Sequence, residues 1–235
     1  MNKHFNDLDQ LVGAPVPNWH PNEWPKSEIK DGLYCQVVPL DISRHGEDLF
    51  NAYNKDVDGR NWTYLPYGPF DKLDDFVEWM KGACTKDDPL FHAIIDKLTG
   101  KAVGVASYLR ITPAASSIEV GHIHFSPLLQ RTPIATEAMY LMMRHVFEDL
   151  HYRRYEWKCN ALNEASCYAA KRFGFTFEGI FRQAGIVKGR NRDTAWFSII
   201  DSEWPVIKLA YEGWLAPDNF NETGLQKRSL KDFIK

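Results

Sequence analysis

The chain predicts an α/β fold, a mixed and mostly antiparallel twisted sheet with helices on both faces. Three observations carry that reading. Segments with the two-residue period of a strand, such as Leu90–Asp96 and Ser117–Phe125, interleave with segments of helical period, such as 72–83 and 132–150. Short turns join successive strand segments into hairpins, which builds antiparallel pairs. Mixed order of this kind is satisfied by helices packed on a sheet. The 235 residues, 44% hydrophobic and 25% charged, are enough for one well-buried core of ordinary composition.

Each element follows in order. Residues 1–33 form an N-terminal arm in which Pro15, Pro17, Pro21 and Pro25 interrupt regular structure. Trp19 and Trp24 are costly to leave in water, so the arm is expected to lie on the domain, either as packing or as a wall of a substrate cleft. A strand is expected over 34–39, and Ser43 can cap a helix reaching about Asn54. Residues 62–70 form a loop dense in aromatics and prolines. Leu73, Phe76, Val77 and Met80 then recur at helical spacing over 72–83.

Leu90–Asp96 is a strand that turns at 98–101 and pairs back over 102–110, and Ser117–Phe125 is the next strand. Thr132 suits an N-cap and Pro133 the first helical position. The helix runs to 150 and buries Ile134, Ala135, Ala138, Met142, Val146 and Phe147. Arg154–Asn160 is a short strand, and a helix over 163–173 stops at Gly174. A last hairpin pairs 175–188 with 192–201 around Gly189. A terminal helix then reaches 215 and gives way to a polar tail. The divisions are therefore an arm over 1–33, a domain over 34–205, and a C-terminal helix and tail over 206–235.

Composition excludes several classes. A net charge of −3 leaves no basic footprint for nucleic acid or an anionic membrane surface. No apolar run is long enough for a bilayer, and the first residues lack the apolar core of a secretory signal, so a cytoplasmic protein is expected. Cys35, Cys84, Cys159 and Cys167 lack metal-ligand spacing and read as reduced thiols. His122 and His124 would share a strand face, but no third ligand follows at suitable spacing, so no metal is expected.

Two features point to chemistry. The helix start at Thr132 offers unpaired N–H groups and the positive end of the helix dipole, a natural seat for phosphate. Glu119 lies in an apolar strand, where a lone charge needs a reason. Regular alternation places Glu119, Gly121, Ile123 and Phe125 on one face, and Val120, His122 and His124 on the other. A bulge near the histidines would change that facing.

The run Gln130-Arg131-Thr132-Pro133-Ile134-Ala135 resembles the pyrophosphate loop of the GNAT N-acetyltransferases, Gln/Arg-x-x-Gly-x-Gly/Ala, with Pro133 in place of a glycine. Asn163-Glu164-Ala165-Ser166 followed by Lys171-Arg172-Phe173-Gly174-Phe175 is similar to an element of the RimJ/RimL-like branch. So are the strand Ile118-Glu119-Val120-Gly121 and the closing hairpin with Arg182 and residues 188–196. The resemblance covers about 34–205. It implies a GNAT-like fold and acetyl-CoA as co-substrate, held by Gln130, Arg131, Thr132, Ile134, Ala135, Thr136 and Asn163.

The resemblance also implies that main-chain groups of His124, Phe125 and Ser126 hold the pantetheine and polarise the thioester. It points to Glu119 as the base that frees the amine. A structural ion pair is the competing role, and His122 is a second candidate base. Where many relatives carry a tyrosine to protonate the departing sulfur, this chain has Ala170. Ser166 is the residue the branch uses, and a plain first-turn serine is the alternative. Trp62, Tyr64, Tyr67 and His122 are candidates for the acceptor pocket, with inward packing as the competitor.

The activity implied is acetyl transfer to a primary amine, on a small molecule or a protein N-terminus, by direct attack in a ternary complex. A non-catalytic acyl-CoA-binding or interaction module on the same fold is the alternative. Monomer and homodimer both remain open.

Overall fold

The computed structural model describes residues 3–234. Eight strands form one sheet: β3 (Lys30–Asp31), β4 (Cys35–Pro39), β5 (Leu90–Asp96), β6 (Ala102–Thr112), β7 (Ser117–Phe125), β8 (Arg154–Asn160), β9 (Thr176–Val187) and β10 (Arg190–Ile200). Their spatial order is β3-β4-β5-β6-β7-β8-β10-β9. Every neighbouring pair is antiparallel except β7 and β8, which run parallel. A parallel pair needs a crossover, and α3 (Pro133–Arg144) supplies it. Two short strands in the arm, β1 (His4–Phe5) and β2 (Leu11–Val12), pair only with each other.

The helices α1 (Ile42–Tyr53) and α2 (Leu73–Ala83) cover one sheet face. They share a core of Leu49, Tyr53, Trp62, Phe76 and Met80 with Phe91, Ala93 and Val105 from the strands. On the other face, α3, α4 (Glu164–Arg172) and α5 (Trp204–Leu215) enclose the larger core, which includes Ile118, Val120, Met139, Met142, Tyr155, Trp157, Phe173 and Tyr211. The expected mixed, mostly antiparallel sheet with helices on both faces is what forms.

Four local expectations are corrected. Asp41, not Ser43, caps α1: its carboxylate accepts from Ser43 N, Arg44 N and the Ser43 hydroxyl. The helix therefore starts at Ile42, and Ser43 lies inside its first turn, where it donates to the capping carboxylate. The helix expected to reach 150 is α-helical only to Arg144 and continues as a π-helical turn, His145–Asp149.

The C-terminal stretch is not a solvated tail. Leu230 is fully buried, Phe233 and Ile234 pack on the core, and Asn219 donates to Trp214 O and Arg228 O. The tryptophans of the arm are largely exposed, Trp19 at 46% and Trp24 at 42%. The neighbouring polar groups hold the arm instead: Asn22 donates to Leu150 O and His151 O, and the Tyr152 hydroxyl donates to Glu23 O.

Glu137 fixes the junction of arm and domain. From α3 its buried carboxylate accepts the N–H groups of Leu33, Tyr34 and Cys35 at 2.6, 2.7 and 2.8 Å. This leaves no room for a side chain at position 32, because a Cβ on Gly32 would lie 2.5 Å from the Glu137 carboxyl.

Candidate active site

The parallel pairing of β7 and β8 is short. Ser117–Val120 run beside Arg154–Trp157, and beyond Val120 and Trp157 the two strands no longer pair. At that point β7 also breaks its alternation against β6. Gly121 faces Ser107 and His124 faces Val105, so two residues of β7 stand against one of β6, and His122 takes φ +48°. The irregularity is a bulge, and it reverses the facing of everything after it.

The facing inferred from plain alternation is therefore wrong for the histidines. Ile118 and Val120 join the core under α3, which turns Glu119 to the opposite face. After the bulge Ile123 packs on the α3 side, while His124 stacks on Tyr53 of α1 at 3.8 Å between ring centroids. His122 stacks with Tyr67, whose hydroxyl lies 3.2 Å from its Nδ1. Glu119 and His122 thus share one side of the sheet, the side of α1 and α2.

Glu119 is 2% exposed and sits among charges. Arg110 Nη1 donates to its Oε1 at 2.7 Å, and Lys158 Nζ lies 2.8 Å from its Oε2. Lys158 thus satisfies Oε2 as Arg110 satisfies Oε1, and a carboxylate oxygen with one partner still has a second lone pair. Burial pushes the Glu119 carboxyl above the ordinary glutamate range, and the pull of Arg110 and Lys158 only partly opposes it. A raised carboxyl takes up a proton more readily than an ordinary glutamate, while Arg110 and Lys158 favour its ionised form. His122 is held down to about 4 by burial and by Arg110, so its ring is neutral at pH 7.

On the opposite side of the gap, α4 begins at its N-cap Asn163, whose side chain accepts from Ser166 N at 3.1 Å. Asn163 is therefore a helix cap, whatever else it contacts. Ser166 Oγ accepts from Trp157 Nε1 at 3.0 Å. Indole is a donor only, so the serine keeps its own proton to donate, and the Cys159 sulfur is already within its reach.

The phosphate-loop candidates divide. Thr132 is the N-cap of α3 by position, but its hydroxyl donates to Leu129 O at 2.7 Å and does not cap. The first-turn N–H groups of Ile134 and Ala135 are thus left without a capping side chain, as anion binding at a helix start requires. Arg131 occupies the left-handed region, with φ +61°, just before the cap.

Three other candidates are engaged inside the fold. Gln130 Nε2 donates to Asn61 Oδ1 and Phe125 O, tying the loop after β7 to the loop after α1. The Thr136 side chain is 1% exposed and accepts from Arg172. Ser126 spends both its N–H and its hydroxyl on Val103 O, so it has no main-chain donor to offer. In the main chain of His124, the carbonyl accepts from the Tyr53 hydroxyl.

Of the acceptor-loop residues, Trp62 is core: it is 5% exposed and packs on Tyr53, Tyr67, Phe70 and His124. Tyr64 is half-buried and donates to Leu162 O, bridging to the loop before α4. Lys188, at the tip of the β9–β10 hairpin, donates to Trp62 O at 2.8 Å, so the hairpin closes over the loop 62–70.

Sequence reasoning missed Arg110, Lys158 and Glu156. The last two lie at alternate positions of β8, a spacing that does signal a shared face, but their meeting with Glu119 depends on the parallel register. Nearby, Trp196 stacks on Phe181, which lines a groove of about 720 Å³ with Arg182, Gln183, Asn191 and Asp193.

With this geometry in view, comparison with known proteins is informative. A family model described as an acetyltransferase (GNAT) domain matches residues 37–176. A crystal structure of a GCN5-related N-acetyltransferase from Brucella melitensis is 49% identical, with a TM-score of 0.91, covering 93% of this chain and 99% of that one. A ribosomal-protein-serine acetyltransferase of Escherichia coli (strain K12) is 30% identical over 102 residues, 43% of this chain and 56% of that protein. The fold is also shared with RimL, a ribosomal L7/L12 alpha-N-protein acetyltransferase solved with coenzyme A. That match has 21% identity and a TM-score of 0.61, covering 74% of this chain and 99% of that one. The split of β7 from β8, the uncapped start of α3 and the matched span agree, and the chain belongs to the GNAT acetyltransferase family.

Proposed function

We propose that the protein is an acetyl-CoA-dependent N-acetyltransferase that acts on the α-amine of a polypeptide by direct attack in a ternary complex. One observation carries the reading. The gap between β7 and β8 is flanked by a buried carboxylate paired with two cations and, at the start of α4, by a serine that accepts from an indole and so keeps a proton to donate. When bound, acetyl-CoA supplies the acyl group as a thioester, and the uncapped N–H groups of Ile134 and Ala135 suit its pyrophosphate.

The roles of the chain's own groups follow. An α-amine has a pKa near 8, so most of it is protonated at neutral pH and cannot attack. Glu119 takes that proton on its carboxylate and frees the lone pair of the nitrogen. Ser166 donates its proton in a hydrogen bond to the sulfur as the thiolate departs. His122, neutral and stacked on Tyr67, lines the acceptor side and orients the amine. The groove beside Phe181 and Arg182 takes the chain beyond the amine. The name of the Escherichia coli relative supports a polypeptide acceptor.

The test begins with calorimetric titration of the protein with acetyl-CoA, with desulfo-CoA as comparison. Release of free CoA thiol is then followed with a peptide that starts in serine, the same peptide with its N-terminus blocked, and spermidine. Micromolar binding and turnover with only the free peptide support the reading. Turnover with spermidine alone moves the acceptor class to small amines. No binding at millimolar ligand overturns the function and favours an interaction module.

A further inference from the structure

Glu119 and Glu156 are direct partners in the parallel register of β7 and β8, and both are largely buried. Two carboxylates held side by side in a low-dielectric site repel, and one of them ordinarily keeps its proton. Here a cation stands between them. Lys158 Nζ lies 2.8 Å from Glu119 Oε2 and 2.7 Å from Glu156 Oε2, with its side chain 7% exposed. The same ammonium sits 3.7 Å from the ring centroid of Trp196, its register partner on β10. A buried lysine this well matched to its surroundings is not ordinary surface charge.

Resting on the proposed role of Glu119 as base, we propose that Lys158 is a positioning residue that sets the ionisation of Glu119 and so the acid limit of acetyl transfer. The charged and titratable groups that face Glu119 are Arg110 from β6, Lys158 and Glu156 from β8, and His122 from β7 itself. Arg110 is mostly in water, its side chain 61% exposed, so solvent screens its charge. Lys158 is dry, and its field acts at closer to full strength. Glu156 divides that field, because it competes for the same ammonium. Beyond it, Arg154 bonds both Glu156 and Glu178, and Glu178 accepts from Ser198, so the competing carboxylate is itself held in place. Lys158 therefore keeps Glu119 ionised and ready at neutral pH, and Glu156 stops it from binding so tightly that the carboxylate ceases to accept a proton.

Two substitutions with opposite expected signs test this. The protein is labelled at the glutamate carboxyl with carbon-13, and Glu119, assigned by its loss in Glu119→Gln, is titrated by NMR. Lys158→Met should move the Glu119 titration to higher pH by about 1–3 pH units. Glu156→Gln should move it to lower pH, and Lys158→Arg should leave it near the wild-type position. The acid limb of kcat/KM, measured with acetyl-CoA and the serine-starting peptide, should move with each. A disordered variant would lose its dispersed spectrum and could not produce two shifts of opposite sign.

No NMR shift in either variant, or shifts of the same sign, overturns the role of Lys158. If the carboxyl shifts as expected but the acid limb stays fixed, Glu119 is not the base, and the positioning role in catalysis falls with it. If no peptide turns over, the NMR titration still decides whether Lys158 governs Glu119.

Discussion

Replacing Glu119 by glutamine isolates the proposed base with little disturbance to its surroundings. The two side chains have the same shape, and the cations left behind keep partners. Lys158 remains 2.7 Å from Glu156 Oε2, and the Arg110 side chain, 61% exposed, is solvated. The fold should therefore lose well under the roughly 3–5 kcal/mol expected when a buried charge is orphaned. Catalysis should lose far more. A positioned general base contributes about 10²–10⁴-fold, which corresponds to about 3–5 kcal/mol of barrier. The assay is thiol release with the serine-starting peptide across pH, beside calorimetric titration with acetyl-CoA. Turnover should fall by that factor while acetyl-CoA affinity stays within about twofold.

Stability supplies a second reading of the same variant. The folded-state pKa of Glu119 lies above its unfolded value, so the unfolded chain releases this proton first as pH rises. The wild type should thus lose stability relative to Glu119→Gln as pH climbs from the ordinary glutamate range through the raised value. Unchanged turnover and an unchanged acid limb in the variant would refute the assignment and leave Glu119 as a structural ion pair.

Three further outcomes are expected. Thr132→Asp places a capping carboxylate at the α3 N-cap, where the threonine does not cap; thermal stability should rise by about 1 kcal/mol while acetyl-CoA affinity falls more than tenfold. Unchanged affinity in that titration would locate the phosphate elsewhere. Ser166→Ala should cost about tenfold or less in kcat, since a thiolate of pKa near 8.5 is a tolerable leaving group. It should also cost about 1–3 kcal/mol of stability, because Trp157 Nε1 loses its acceptor, and denaturant unfolding checks this. Burial holds His92, His122 and His124 down to about 3, 4 and 3. The unfolded chain therefore binds these protons first as pH falls below about 6.5, and each histidine should remove up to about 1.4 kcal/mol per pH unit. An acid titration of stability that is flat between pH 6.5 and 4 would contradict that burial.

Local patterns in the chain were enough to determine most elements from β4 to α5, though not the two-residue strands β1, β2 and β3 of the arm. Period-two runs mark Leu90–Asp96, Ser117–Phe125 and Arg154–Asn160 with their observed ends, because alternation, β-branched residues and flanking turns act within a few residues. The start of α3 at Pro133 and the end of α4 before Gly174 were legible for the same reason: caps and breakers act locally. Glu119 stood out as a charge in an apolar strand, and Ser166 as part of an ordered motif. What these residues touch was not legible. The bulge at His122 turns two histidines to the other face, and its cause lies in pairing with β6 across the sheet. Ser126, Gln130 and Thr136 look available in the sequence but are used by Val103, Asn61, Phe125 and Arg172, which lie up to 69 positions away along the chain. Lys158 meets Glu119 only through the parallel register of two strands joined by a whole helix. Propensity, capping and turn chemistry are properties of neighbouring residues, so the sequence alone displays them. Facing, ion pairing and the ionisation of a buried carboxylate depend on distances between remote segments, and only the tertiary structure decides those.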